Sequence, residues 1–329
     1  MPPIHNPRVK PAALKPGDVV GIVAPASDIK RDLLEAGCDA LRKLGYKPFY
    51  LDSILERDLY FAGSHERRAQ ELQTMFERDD VRAIVCARGG YGSNYLLRAL
   101  DLRKVASHPK IFVGYSDITT LLTYFADTGG FVTFHGPMVT KDFSRTDGVD
   151  LASWQSALGG QSEWKLEAGA NDGVTPLIEG SAEGILYGGC LSMLVASLGT
   201  PYEIQTDGTI LFIEDIAAKP FQIDRMLMQL KLAGKLADVR GIIFGEMVDC
   251  FQSKDQAYTL QEVISRVLRD VHVPIAYGLR SGHVSRGNIT LPIGVRAAMK
   301  VTSDGLTLKI LESATTVPSS SRVESVKVL

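Results

Sequence analysis

"IFVGYSDITTLL", residues Ile111–Leu122, is the stretch on which the fold turns. It begins as an apolar run, passes through one serine and one aspartate, and continues with apolar residues at helical spacing. A strand therefore runs into a helix through a tight turn. Ser116 then has two readings. Its hydroxyl caps the helix, or it is a nucleophile presented at the end of a strand. Asp117 is equally able to cap, which would free the Ser116 hydroxyl. The free N–H groups of a helix start suit a developing oxyanion. The GxSxG pattern of a hydrolase elbow is missing.

The same grammar extends on both sides. "DVVGIVAPAS" (18–27) and "VRAIVCARGGYG" (81–92) read as strands ending in Pro/Ala/Ser and glycine-rich loops. "RDLLEAGCDALRKLG" (31–45), "RRAQELQTMFERD" (67–79) and "SNYLLRAL" (93–100) read as helices, and "FVTFHGPM" (131–138) as a further strand. Such alternation predicts right-handed crossovers and a parallel sheet with helices on both faces. Ligands bind beyond the carboxyl ends of such strands. There the loops Ala24–Ser27, Arg88–Gly92 and Tyr115–Asp117 are expected to converge.

The chain has 329 residues, is 45% hydrophobic and 22% charged, and has a formal net charge of -2. At roughly 100–200 residues per domain, two domains are expected. We divide the chain into an N-terminal α/β domain (1–140), a connecting region (141–180) and a C-terminal strand-rich mixed α/β domain (181–329), with a weakly ordered tail from about 316. The connecting region is rich in Gly, Asp, Ser and Thr, and carries one short helix near "DLASWQSALGG". Beyond it, "EGILYGG", "GTILFIEDI", "VRGIIFGEMV", "PIAYGLRSGH", "NITLPIGVRAAM" and "GLTLKIL" read mostly as strands. "CLSMLVASLG" reads as a helix. Ile223, Met226, Leu227 and Leu230 mark another, amphipathic one.

The near-neutral charge gives no electrostatic case for nucleic acid or an anionic membrane surface, and points to a small or moderately polar partner. Cys38, Cys86, Cys190 and Cys250 form no CxxC pair, and the apolar helix and strand contexts of Cys38 and Cys86 suit buried reduced thiols. The first residues, "MPPIHNPRVKPAALKPGD", lack the apolar centre of a signal peptide, and no run approaches the ~18 apolar residues of a membrane span. A cytoplasmic protein is expected.

The chemistry-bearing residues are few. "RGGYG" (Arg88–Gly92) permits positive φ and close approach to backbone N–H groups, but fits neither GxGxxG nor the P-loop. It is an ordinary turn or an oxyanion donor. A nucleophilic serine needs a base and an orienting acid. Among six histidines, His5, His65, His108 and His272 lie in arm, helical, loop or strand-edge contexts. His135 in "FHGPM" ends a first-domain strand near the crevice, and His283 in "SGHV" sits in a loop flanked by glycine. "LFIEDI" ends an apolar strand in Glu214–Asp215, so a triad using that pair would assemble across a domain cleft, a favoured ligand site. No HExxH or close His/Cys/Asp cluster suggests a metal, and no cofactor is expected.

Taken in order, "GDVVGIVAPAS", "ARGGYGS", "VGYSDIT", "FHGPM", "GTPYE…ILFIEDI…IDRMLMQL", "GIIFGE" and "SGHV…LPIG" resemble the LD-carboxypeptidases of serine peptidase family S66. These are the muramoyltetrapeptide carboxypeptidases and the related microcin C immunity peptidases. The resemblance covers about Lys15 to about Leu311. It implies a flavodoxin-like N-terminal domain, a β-rich C-terminal domain and a homodimer. It also implies a catalytic triad of Ser116, Glu214 and His283, and an oxyanion hole from the backbone of Asp117 with Gly89 or Gly90. Arg88, Tyr91, His135 and Gly136 are candidate substrate contacts. The implied substrate is a murein-derived peptide ending in D-alanine. Two positions depart from the family pattern: Cys190 in "GGCL" stands where Asn is frequent, and Ala218 in "EDIAAKPF" where Glu is frequent. Cys190 as a separate nucleophile would lack its own base. A microcin-like peptidyl-nucleotide or other acylated amino acid is the alternative substrate. A peptide-binding protein without turnover is the third reading.

Overall fold

In the computed structural model, residues 7–253 and 256–317 are described. The first half alternates as β1 (Val19–Val23), α1 (Arg31–Lys43), β2 (Lys47–Phe49), α2 (His65–Glu77), β3 (Val81–Cys86), α3 (Leu102–Ser107), β4 (Ile111–Gly114), α4 (Thr119–Asp127) and β5 (Thr133–His135). The strands pair in parallel in the order β2-β1-β3-β4-β5. That is the flavodoxin-like order, as the resemblance implied. Helix α1 shows how the sequence builds a layer: Leu34, Cys38 and Leu41 bury one face, Asp32 lies in the first turn, and Arg42 and Lys43 lie in the last.

The chain continues with α5 (Leu151–Leu158), β6 (Trp164–Gly169), β7 (Thr175–Ile178), β8 (Gly180–Cys190), α6 (Leu191–Ala196), β9 (Thr209–Glu214), α7 (Pro220–Leu232), β10 (Gly241–Gly245), α8 (Leu260–Val267), β11 (Ile275–Leu279), β12 (Leu291–Ile293), β13 (Arg296–Thr302) and β14 (Gly305–Ile310). Eight of these strands form a mixed sheet in the order β6-β14-β13-β8-β9-β10-β11-β7. Its centre, β8-β9-β10-β11, is parallel, and its flanks are antiparallel. Ile223, Leu227 and Leu230 are the buried face of α7, with Met226 partly covered beside them.

Strand β12 belongs to neither flank of that sheet. It crosses to the first one and pairs antiparallel with β5, Leu291 opposite His135. One continuous core joins the layers, running from Val20 and Phe134 to Phe212 and Ile243. Helix α4 packs against β4 and β5 on one side and against β8 and α6 on the other. This explains why Leu121, Leu122, Phe125 and Ala126 are all buried, leaving no polar stripe.

Two expectations change. The connecting region holds strands β6 and β7, edges of the second sheet, as well as the expected helix α5. "SNYLLRAL" forms only a 3-10 turn at Ser93–Leu96, because Ser93 is fastened to the chain at Asp117 instead of opening a regular helix. Of the expected tail, Thr316 donates to Pro11 O at 2.8 Å; residues 318–329 and His5 lie outside the described residues.

Candidate active site

Ser116 follows β4 with φ of 62°, a left-handed conformation on a non-glycine residue. Such a residue costs about 1–3 kcal/mol and marks a turn held by its surroundings. Those surroundings are glycines. A Cβ on Gly114 would lie 2.7 Å from Ile118 Cγ2. One on Gly89 would lie 2.8 Å from Ser116 Cβ and 3.1 Å from its Oγ, so residue 89 must be glycine for the two loops to touch.

The three loops at the carboxyl edge do converge. Ser27 N donates to Gly89 O at 3.3 Å, and Ser27 Oγ accepts from Tyr91 N at 3.1 Å. Arg88 anchors the same loop by donating to Asp28 O at 2.9 Å. Among the described residues, no protein acceptor takes the N–H of Gly89, Gly90 or Asp117. Three backbone donors around a strained serine are thereby left for a ligand. Asp117 does not cap α4. Its carboxylate turns away and accepts from Ser93 N at 2.8 Å, while its carbonyl accepts from Ser93 Oγ at 2.7 Å. Burial raises its carboxyl against these hydrogen bonds. The residue thus braces the turn, and the Ser116 side chain makes no capping bond either.

Glu214 ends β9, wholly buried. Its carboxylate occupies space left by two glycines. A Cβ on Gly282 would come within 2.6 Å of Glu214 Cδ, and one on Gly245 within 2.7 Å of its Cβ. Oε2 accepts from His283 Nδ1 at 2.7 Å and from His283 N at 3.1 Å. Burial pushes the Glu214 carboxyl up, but the charge and hydrogen bond of His283, with the nearby His135 ring, outweigh it and hold the group well below the ordinary carboxylate range. For His283, burial favours the neutral ring; Glu214 and Asp215 more than offset this, Lys141 opposes them, and the ring is more basic than an ordinary histidine. Its ring meets that of Tyr115, the residue before Ser116, edge-on at 5.1 Å.

The loop carrying His283 is clamped by residues that the sequence reading passed over. Asn288 Oδ1 accepts from Gly282 N at 2.9 Å and Asn288 Nδ2 donates to Gly282 O at 3.1 Å. Asp142 accepts from Met138 N at 2.8 Å and takes the Tyr115 hydroxyl, its carboxyl pushed up to about 6 by burial. The "GHVSRGN" spacing hinted at a closed loop; nothing in the sequence pointed to Asp142.

Other candidates separate by position. Asp215 faces away from His283, accepting from Ser192 N at 2.9 Å and from Ser192 Oγ at 2.5 Å. His135 and Gly136, read as substrate contacts, are buried: His135 lies behind Glu214, and Gly136 is closed in by Thr290. Tyr91 is exposed, in an aromatic group with Tyr60, Phe61 and Tyr95. His65, His108 and His272 are surface residues. Cys190 is buried, and burial together with Glu214 and Asp215 keeps its thiol protonated. Ala218 packs against the C-terminal apolar cluster. Among the described residues no helix is long and apolar enough to cross a membrane.

A strained serine, free backbone donors and a carboxylate-held imidazole form the equipment of acyl transfer. Family models agree with that chemistry. The LD-carboxypeptidase N-terminal domain matches residues 20–136, and the LD-carboxypeptidase C-terminal domain matches residues 183–299. The chain belongs to the LD-carboxypeptidase family, S66. This S66 enzyme is therefore a hydrolase of the peptidase class. It is 40% identical over 293 residues to the probable murein peptide carboxypeptidase of Bacillus subtilis, covering 88% of this chain and 91% of that one. The muramoyltetrapeptide carboxypeptidase from Oxalobacter formigenes superposes with a TM-score of 0.80 at 30% identity, covering 91% and 100% of the two chains. The wild-type apo form of the microcin C7 self-immunity protein MccF superposes with a TM-score of 0.87 at 25% identity, covering 94% and 100%.

Proposed function

We propose that this S66 enzyme is a serine carboxypeptidase that removes a terminal D-alanine from murein tetrapeptides, cleaving the L,D-bond through Ser116, His283 and Glu214. The observation that carries the reading is the double hydrogen bond from His283 Nδ1 and N to the buried Glu214 Oε2, on a ring packed edge-on against Tyr115, the residue before the left-handed Ser116. It fixes the imidazole with Nε2 free to take a proton. Ser116 Oγ attacks the scissile carbonyl as His283 Nε2 accepts its proton. The negative charge on Glu214 stabilises the imidazolium. The N–H groups of Asp117 and of Gly89 or Gly90 hold the oxyanion. His283 returns the proton to the leaving amine, and water, activated by the same ring, resolves the acyl-enzyme.

Arg88 and Tyr91 flank the oxyanion loop and complete the reading as substrate contacts. Action in the cytoplasm as a homodimer, on peptides recovered from murein turnover, belongs to the same proposal and rests on the family resemblance. The likeness to the microcin immunity protein favours a second substrate class, an aminoacyl or peptidyl nucleotide. One panel separates them: a tetrapeptide ending in D-alanine, its L-alanine epimer, and an aminoacyl sulfamoyl nucleoside as inhibitor. Release of D-alanine from the first alone, lost in Ser116→Ala, supports the murein reading. Equal release by wild type and Ser116→Ala overturns the serine mechanism.

A further inference from the structure

Glu214 has a second carboxylate oxygen, and what faces it is a second histidine. Oε1 is buried without a hydrogen bond, and so is His135 Nε2; the two atoms lie 3.7 Å apart. Both side chains are fully closed to solvent. The gap is too short to hold a water between them and closes by a small swing of either group. The ring is held on its other edge. His135 Nδ1 meets Ser281 Oγ at 3.0 Å, Ser281 Oγ lies 2.8 Å from Ile289 O, and Phe212 packs edge-on at 5.0 Å.

Proton bookkeeping fixes which way the pair works. Ser281 has one hydroxyl proton. Given to His135 Nδ1, it leaves a neutral ring whose hydrogen is on Nε2. Given to Ile289 O, it makes Ser281 an acceptor, so Nδ1 carries a hydrogen. Nε2 must then carry one too, since a bare Nε2 would set its lone pair against a buried carboxylate. Either way an N–H points at Oε1.

We infer that His135 is a positioning residue for the catalytic acid: its Nε2–H, oriented by Ser281, pins Glu214 Oε1 so that Oε2 is presented to His283. The inference rests on the triad proposed above. It gives Glu214 two imidazoles, one that works in the reaction and one that does not move. His135 ends β5, paired with Gly114 of β4 on one side and Leu291 of β12 on the other. The strand beside the nucleophile therefore reaches the acid directly, and Ser281 ties the same ring to the base loop two residues before His283. A donor on Oε1 also draws charge from Oε2, so His135 restrains the basicity that Glu214 confers on His283.

The test measures D-alanine release against pH for wild type, His135→Phe, His135→Gln, Ser281→Ala and Ser116→Ala. Loss of a hydrogen bond to a buried charge predicts a kcat about 10- to 100-fold lower in His135→Phe, with KM within about twofold. The acid limb of kcat/KM should move up by about half a pH unit, because Oε2 becomes a stronger partner for His283. His135→Gln, whose amide offers an N–H near the same place, should recover much of the rate and the limb. Ser281→Ala should fall between the two. A His135→Phe enzyme with wild-type kcat and an unmoved acid limb overturns the inference, as does a Gln variant as impaired as Phe. Should His135→Phe fail to fold, Ser281→Ala with wild-type rate and limb overturns it as well. Activity retained in Ser116→Ala would instead remove the triad itself, a separate failure visible in the same plate.

Discussion

Replacing Glu214 by glutamine isolates the electrostatic part of the proposed mechanism. The carboxylate touches His283 through Nδ1 at 2.7 Å and N at 3.1 Å, in a wholly buried site. When His283 takes the serine proton, two opposite charges stand about 4 Å apart, an interaction of about 4 kcal/mol at an effective dielectric of 20. Glutamine keeps the size and one acceptor but removes that attraction, so kcat should fall about 1000-fold. If the amide nitrogen turned towards Nδ1, the ring would be held in the wrong tautomer and the loss would be greater; the figure is a floor. KM should change by less than about twofold, since the lost attraction acts chiefly once the imidazole has taken the serine proton in the transition state. The sign of the pH effect follows from the raised basicity that Glu214 confers on His283. Without the carboxylate the base protonates at lower pH, so the residual activity should keep its plateau further into acid than wild type does. D-alanine release, coupled to an oxidase and followed from pH 5 to about 9, reads both quantities. A Glu214→Gln enzyme within about tenfold of wild type would refute the reasoning, because charge stabilisation would then contribute less than about 1.4 kcal/mol.

Further predictions follow from the local geometry. Ser116→Gly should abolish turnover yet raise the melting temperature, because a left-handed residue loses about 1 kcal/mol of strain when its Cβ is removed; a lower melting temperature would contradict the strained turn. Gly89→Ala places a methyl 2.8 Å from Ser116 Cβ, and should cut kcat at least about 100-fold by displacing an oxyanion donor; a near-wild-type rate would exclude that contact. Burial pushes the Asp142 carboxyl up to about 6, above its ordinary value. Its folded form therefore holds a proton that the unfolded chain has released, and wild type should lose stability relative to Asp142→Asn as pH rises from about 4 to about 6; a constant difference in melting temperature across that window would contradict it. The four cysteines are buried and free, so a thiol reagent should leave the native enzyme active and label it only on unfolding; rapid inactivation would reopen Cys190 as a nucleophile.

Much of the fold was legible because its signals are local. Strand–helix alternation, the glycine loop at Arg88–Gly92 and the strained serine turn each occupy a few consecutive residues. The misses have a common cause in long-range partners. Asp117 read as a helix cap because capping is a local rule, whereas its partner Ser93 lies on a preceding loop. His135 read as a crevice residue because it ends a strand of the first sheet. Its burial comes from Phe212, Ser281 and the pairing of Leu291, all contributed from the other half of the chain. The strands of the connecting region are a different case. Trp164, Leu166 and Ala168 do alternate with Lys165 and Glu167, but the signal is short and its covered face is only partly buried at a sheet edge.

The path of β12 bears on how the proposed active site, split between two sheets, keeps its geometry. The base loop leaves β11 in the eight-stranded sheet and ends in β12, which pairs with β5 in the six-stranded one. His283 therefore hangs between two sheets, each end of its loop set by backbone hydrogen bonds, with the Asn288 amide closing the span. Glu214, the proposed acid, ends β9, Ser116, the proposed nucleophile, follows β4, and β5 lies between β4 and β12. Were the halves joined only by a hinge, a shift of one ångström between nucleophile and base would be cheap, and it would cost about 100-fold in rate. Here such a shift must break strand pairing at β5–β12 or pull His135 off Glu214. The distance between Ser116 and His283 is thus a property of sheet register, and weakening β12 should slow catalysis before it unfolds the protein. A proline at Ile293, opposite Thr133, tests this: kcat should fall while the far-ultraviolet circular dichroism of both sheets persists, and an enzyme with β12 unpaired but kcat unchanged would show that register does not set the site.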